Sequence, residues 1–126
     1  MRFMILVKAT PETERGAMPG EALIAAMAEF HEQLAKAGVL LDASGLKPSG
    51  KGWRVQYDGT QRRVVDGPFA ETKEQLLGLY VVNCNDEAEA IGVARDLRRV
   101  NPTAVYEIRP IRLYIPGETL PETAAD

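Results

Sequence analysis

The sequence is short of the residues that metal and thiol chemistry need. Its 126 residues include one cysteine, Cys84, and one histidine, His31. A lone cysteine cannot close an internal disulfide, which fits a reducing compartment and a cytoplasmic protein. One Cys and one His also fall short of a zinc ligand set, so neither a metal nor a cofactor is expected. No apolar run approaches the roughly 20 residues that cross a bilayer, so no membrane association is expected. Met1 to Val7 is apolar but short and lacks a small-residue cleavage site, so it reads as a strand and not as a signal peptide. Gly-x-Gly-x-x-Gly, a phosphate loop and a Gly-x-Ser-x-Gly elbow are all missing. Excess positive charge is missing too. A net charge of −3 gives no long-range pull on phosphates and argues against a nucleic-acid partner. Arg95, Arg98 and Arg99 fall at an expected helix C-terminus, where cations complement the helix dipole.

What is present is ordinary for one globular domain. Hydrophobic residues make up 45% and charged residues 26%, which sets disorder aside. Phe3 to Lys8 alternates as a strand that is apolar on both faces. Thr10 to Gly20 reads as a loop punctuated by Pro11, Gly16, Pro19 and Gly20. From Glu21 to Ala37, Leu23, Met27, Phe30 and Leu34 recur at helical spacing, and Gly38 supplies the stop. Val39 to Leu46 reads as a strand. Residues 53–57 and 62–65 flank an Asp58-Gly59-Thr60 hairpin turn. Leu76 to Asn83 is a strand with Leu77, Leu79 and Val81 on one face and Leu76, Tyr80 and Val82 on the other. Asn85 is placed to cap a second helix with Ala88, Ile91, Ala94 and Leu97 inward, and Ala104 to Leu113 is the last strand.

This order, β-α-β, a hairpin, then β-α-β, is an α+β, ferredoxin-like split βαβ with an inserted β-hairpin. It predicts an antiparallel sheet with two helices on one face over residues 1–113. Residues 114–126 form a proline-containing tail, loose or packed on a partner subunit. The sheet's other face is left bare, yet two of its strands are apolar on both sides. Such a patch exceeds what monomers tolerate, and a second copy, sheet against sheet, is the simplest cover.

His31 lies at the edge of its helix's apolar stripe, where an acid/base group reaches a cleft. Asp42, on the next strand and on the same face as Leu40 by alternation, is the carboxylate that would orient it, giving a catalytic pair; a solvated histidine and an unrelated aspartate are the plainer reading. Lys8 and Glu14 form an ion pair or contact a ligand. Asp66-Gly67-Pro68-Phe69-Ala70-Glu71-Thr72-Lys73-Glu74 is the most distinctive stretch. Its Asp66, Phe69, Glu71 and Lys73 are ligand-binding candidates, against a rigid connection anchored by Phe69.

At that nonapeptide the chain resembles the YCII-related family in its DGPF branch. Lys8-Ala9-Thr10, Lys36-Ala37-Gly38-Val39-Leu40, Gly45-Leu46-x-Pro48 and Glu107-Ile108-Arg109-Pro110 support the resemblance, which spans Met1 to Leu113. It implies a ferredoxin-like fold that pairs through its sheets as a dimeric α/β barrel. It also implies relatives with a proposed catalytic histidine–aspartate pair, a relative that is a dehydrochlorinase of hydroxyquinones, and DGPF proteins that tend to be encoded beside or fused to alternative sigma factors. Two readings follow. One is a homodimeric small-molecule-binding or accessory protein, with a possible sigma-factor link. The other is a cofactor-free enzyme, a lyase, isomerase or dehydrochlorinase, using His31 with Asp42.

Overall fold

A computed structural model describes residues 1–70 and 74–112. The elements are β1 (Arg2–Lys8), α1 (Pro11–Glu14), α2 (Glu21–Lys36), β2 (Leu40–Gly45), β3 (Trp53–Asp58), β4 (Gln61–Asp66), β5 (Leu76–Asn83), α3 (Glu87–Val100) and β6 (Tyr106–Pro110). β2, β5, β1 and β6 form an antiparallel sheet in that order, and β3 and β4 form a separate two-stranded ribbon. The order of the four strands is that of a ferredoxin-like α+β fold with the hairpin inserted between its second and third strands.

Alternation along the two central strands sorts the residues by face. Phe3, Ile5 and Val7 of β1 and Tyr80 and Val82 of β5 are buried, and they join Ala90, Val93 and Leu97 of α3 in one core. Met4, Leu6, Leu79 and Val81 point to the other face and are only half-buried. The core is therefore one-sided.

The two long helices attach unequally. α3 starts on Asp86, whose carboxylate accepts the Glu89 N–H at 2.9 Å, and it buries three side chains. Asn85, expected as the cap, instead donates its backbone and side-chain N–H groups to Glu89. The inward stripe is Ala90, Val93 and Leu97; Ala88 is exposed and Ile91 is 46% exposed. Of the expected inward residues Leu97 is buried and Ala94 packs against the core. α2 buries no residue fully. Its Phe30 and Leu34 pack on the core, but Met27 and Leu23, one and two turns before Phe30, do not.

Two further features depart from the sequence expectation. The Thr10–Gly20 loop contains α1, started by a capping box in which Thr10 and Thr13 satisfy each other's backbone N–H groups. Pro11 is its first residue, where a missing N–H costs nothing. The last strand is shorter than expected, ending at Pro110, and Leu113 lies outside the described residues.

The connection after β4 is tight. Gly67 N–H donates to the Gly52 carbonyl at 3.0 Å, and a Cβ at Gly67 would stand 1.7 Å from the Ser49 carbonyl oxygen. No side chain fits there without moving backbone. Gly67→Ala is expected to cost about 1–3 kcal/mol as overpacking. Urea unfolding measures it, and an unchanged midpoint would show that the connection shifts freely.

Candidate functional site

Because α2 is held at its C-terminal half only, a space opens beneath its N-terminal half. This cavity of about 510 Å³ lies between α2, the end of α3 and the helix side of the sheet. Its volume falls within the range of small-molecule sites. Leu23 and Met27 roof it, Leu97 and Val100 close one side, and His31, Tyr80 and Tyr106 bring polar atoms into a mostly apolar wall that Lys8, Thr10, Thr13, Ser44, Asn101 and Thr103 also line.

His31 sits where the packed part of α2 meets the unpacked part. Its Nε2 is 2.9 Å from the Tyr80 hydroxyl oxygen, and the two rings meet edge-on with centroids 5.1 Å apart. Burial pushes the imidazole below its ordinary value near 6.5. Burial, with Tyr106 adding to it, pushes the Tyr80 hydroxyl up to about 12. Burial raises Tyr106 as well. At neutral pH the site is thus an uncharged imidazole bonded to an uncharged phenol. Either tautomer satisfies the bond: Tyr80 O–H donating to Nε2, or Nε2–H donating to the Tyr80 oxygen. The pair can give and take a hydrogen bond, and the imidazole can accept a proton as a general base.

Asp42 is not the partner. A bulge between Leu40 and Asp42 sets two residues of β2 against one of β5, so Leu40 pairs with Val82 but Asp42 pairs with Val81. The extra residue turns Asp42 to the face opposite Tyr80 and His31, where it is exposed. Simple alternation along β2 predicted the reverse.

The ligand-binding candidates separate in the same way. Lys8 follows a register shift at Val7/Lys8 and turns its ammonium to Glu107, 3.9 Å away, rather than to Glu14. Glu14 instead anchors the segment before the hairpin: Ser49 donates its N–H at 3.0 Å and its hydroxyl to the two carboxylate oxygens. The Ser49 hydroxyl also accepts the Phe69 N–H at 3.1 Å, and the Arg54 guanidinium stacks 4.1 Å above the Phe69 ring. Phe69 and Glu14 therefore hold the hairpin base to α1, through Ser49, as a structural clamp. Asp66 is exposed at the end of β4. Glu71 and Lys73 lie outside the described residues. Among the described residues no cluster of three metal-ligating side chains forms.

Sequence reasoning missed Tyr80. The available signal was a tyrosine in the middle of an apolar strand, whose hydroxyl must find a partner when buried.

A histidine with a depressed folded pKa gives a defined pH signature. The unfolded chain takes up the proton first, so stability is full above the ordinary imidazole value and falls as pH drops from there toward the folded value. As the single histidine, His31 gives one imidazole NMR signal. Its midpoint is expected below that of a free imidazole, and His31→Gln is expected to remove the loss of stability in that window. A midpoint at or above 6.5 would contradict the burial.

The comparisons with known proteins agree with the architecture. The family model of the YCII-related domain matches residues 1–115. A Rhizobium meliloti (strain 1021) protein, "Uncharacterized protein R00369", is 40% identical over 99 residues, covering 78% of this chain and 80% of that protein. With the strand order above and a match over nearly the whole described structure, the chain belongs to the YCII-related family.

Proposed function

We propose that this protein binds a small, uncharged, largely apolar molecule carrying one hydroxyl or carbonyl group in the cavity beneath α2, and that it does so as a homodimer. The cavity carries the proposal. Its wall is mostly hydrocarbon, His31 and Tyr80 are hydrogen-bonded to each other on it, and the Lys8 ammonium among the described lining residues is paired with Glu107 at 3.9 Å. A neutral imidazole and a neutral phenol suit a hydroxyl or carbonyl and give a carboxylate no opposite charge to offset its desolvation.

Acid–base catalysis at the same site is the second reading, and the neutral His31 next to Tyr80 favours it. Among the described residues no carboxylate orients the imidazole or holds it as a cation, since Asp42 is on the other face. Binding is therefore the reading with more support.

The homodimer rests on the open face of the sheet. Across it run two rows, Asp42, Val81, Met4, Arg109 and Ser44, Leu79, Leu6, Glu107. Each row has an apolar centre and a polar end, as interfaces do. A two-fold axis along the strands lays β2 of one subunit over β6 of the other, so Asp42 meets the partner's Arg109 and the leucines, valine and methionine cover one another.

Two measurements test these proposals. In an NMR titration, benzaldehyde is expected to shift the His31 signal saturably, and benzoate to bind at least about tenfold more weakly. Tyr80→Phe is expected to weaken the aldehyde by about five- to tenfold, the worth of one neutral hydrogen bond. Equal binding of both probes would sink the neutral-ligand reading. In sedimentation, the wild-type chain is expected to run as a dimer at micromolar concentration and Val81→Glu as a monomer; a wild-type monomer would remove the sheet-to-sheet pairing.

A further inference from the structure

The β3–β4 ribbon presents a second apolar surface, unrelated to the cavity. The cross-strand pairs Trp53–Asp66, Val55–Val64 and Tyr57–Arg62 share one face. On it Trp53 is 71% exposed, Tyr57 72%, Val55 52% and Val64 55%. The ribbon's other face is the one that packs, with Arg54 over Phe69. Two aromatic rings and two valines in one contiguous stripe amount to roughly 500 Å², more than scattered surface residues expose. An isolated two-stranded ribbon is marginal in water, so a cover on this face would also stabilise it.

Charge narrows what the cover is. Residues 47–66 carry Lys47, Lys51, Arg54, Arg62 and Arg63 against Asp58 and Asp66, an excess of positive charge around the ribbon in a chain whose net charge is −3, with Arg62 the cation on the apolar face itself, which also carries Asp66. A second ribbon brings the same positive charge and is repelled. The complement is in the same chain. Residues 113–126 contain Glu118, Glu122 and Asp126, no lysine or arginine, and Leu113, Tyr114, Ile115 and Leu120 as apolar anchors. Reach is sufficient. The chain leaves β6 at the edge of the sheet farthest from β2, and the ribbon starts beyond the far end of β2. Crossing four strands and about five residues of strand length is some 20–25 Å to the sheet's far corner. Fourteen residues span up to about 45 Å.

We propose that the C-terminal segment, residues 113–126, docks on the Trp53–Val55–Tyr57–Val64 face of the hairpin. Its leucines, isoleucine and tyrosine cover the stripe, and its acids meet Arg62 and the neighbouring cations.

Trp53 is the single tryptophan and reports the contact directly. The full chain is expected to emit at shorter wavelength than a chain ending at Arg112, and to be quenched by acrylamide several-fold less. A synthetic peptide of residues 113–126 added to the shortened chain is expected to restore the blue-shifted emission, with an affinity that falls several-fold as salt is raised. The full-length variant Glu118→Lys/Glu122→Lys/Asp126→Lys is expected to behave like the shortened chain. The His31 NMR signal, unchanged in both variants, shows that the domain stays folded. Equal quenching of Trp53 in the full and shortened chains, or a peptide that leaves its emission where it was, overturns the assignment.

Discussion

The site depends on α2 being anchored at one end. Phe30 and Leu34 pack against the layer made by Phe3, Ile5, Tyr80 and Val82, and the helix is fixed there. Leu23 and Met27 lie two turns nearer its N-terminus and meet a cavity instead of side chains. Leu23 to His31 is eight residues, about 12 Å of helix, so the roof overhangs by roughly that length. A space of some 510 Å³ with mostly hydrocarbon walls holds water poorly, because each ordered water needs two to four polar partners. A ligand that replaced such water would gain both the apolar contact and the release.

Two irregularities in strand pairing decide which charges can take part. The bulge at Leu40/Asp42 sends a carboxylate away from His31, and the shift at Val7/Lys8 leaves the ammonium reaching Glu107. The bulge takes a carboxylate away from the cavity, while Lys8 stays on its wall with its charge paired to Glu107. The most distinctive sequence segment has a mechanical part in this. Gly67 permits the close approach to Ser49, and Phe69, Ser49 and Glu14 tie the hairpin base to α1, whose Thr13 lines the cavity mouth.

Much of the fold was legible because it follows from period and punctuation. Phe3, Ile5 and Val7 alternate, Leu23, Met27, Phe30 and Leu34 repeat at helical spacing, and Gly38 and Gly59 take the positive φ values that their turns require. What failed was phase. Asn85 and Asp86 are both good caps, and the first half of the inward stripe of α3 is Ala90 and Val93 rather than Ala88 and Ile91, while Ala94 and Leu97 do pack inward. Strand alternation placed Asp42 beside Leu40, and one bulged residue, invisible in composition, reversed it. α1 was legible in principle, since Thr10-Pro11-x-x starts a helix, but four residues give no period to read. His31 was placed at the stripe's edge correctly, while its partner was not, because a tyrosine in an apolar strand looks like core until the helix above it is located.

The His31–Tyr80 bond also limits what the site can ask of a ligand. The two groups already satisfy each other, so the unliganded protein leaves no buried side-chain donor or acceptor without a partner among the described residues. The core therefore tolerates an empty cavity, and binding is not required for folding. An incoming hydroxyl or carbonyl must use the capacity that remains, such as the second lone pair on the Tyr80 oxygen, or compete for the existing bond. Either way the net polar gain is about that of a single neutral hydrogen bond, near 1 kcal/mol, while each buried methylene of the ligand adds about 0.8. Shape and apolar area, more than polar complementarity, then set the affinity.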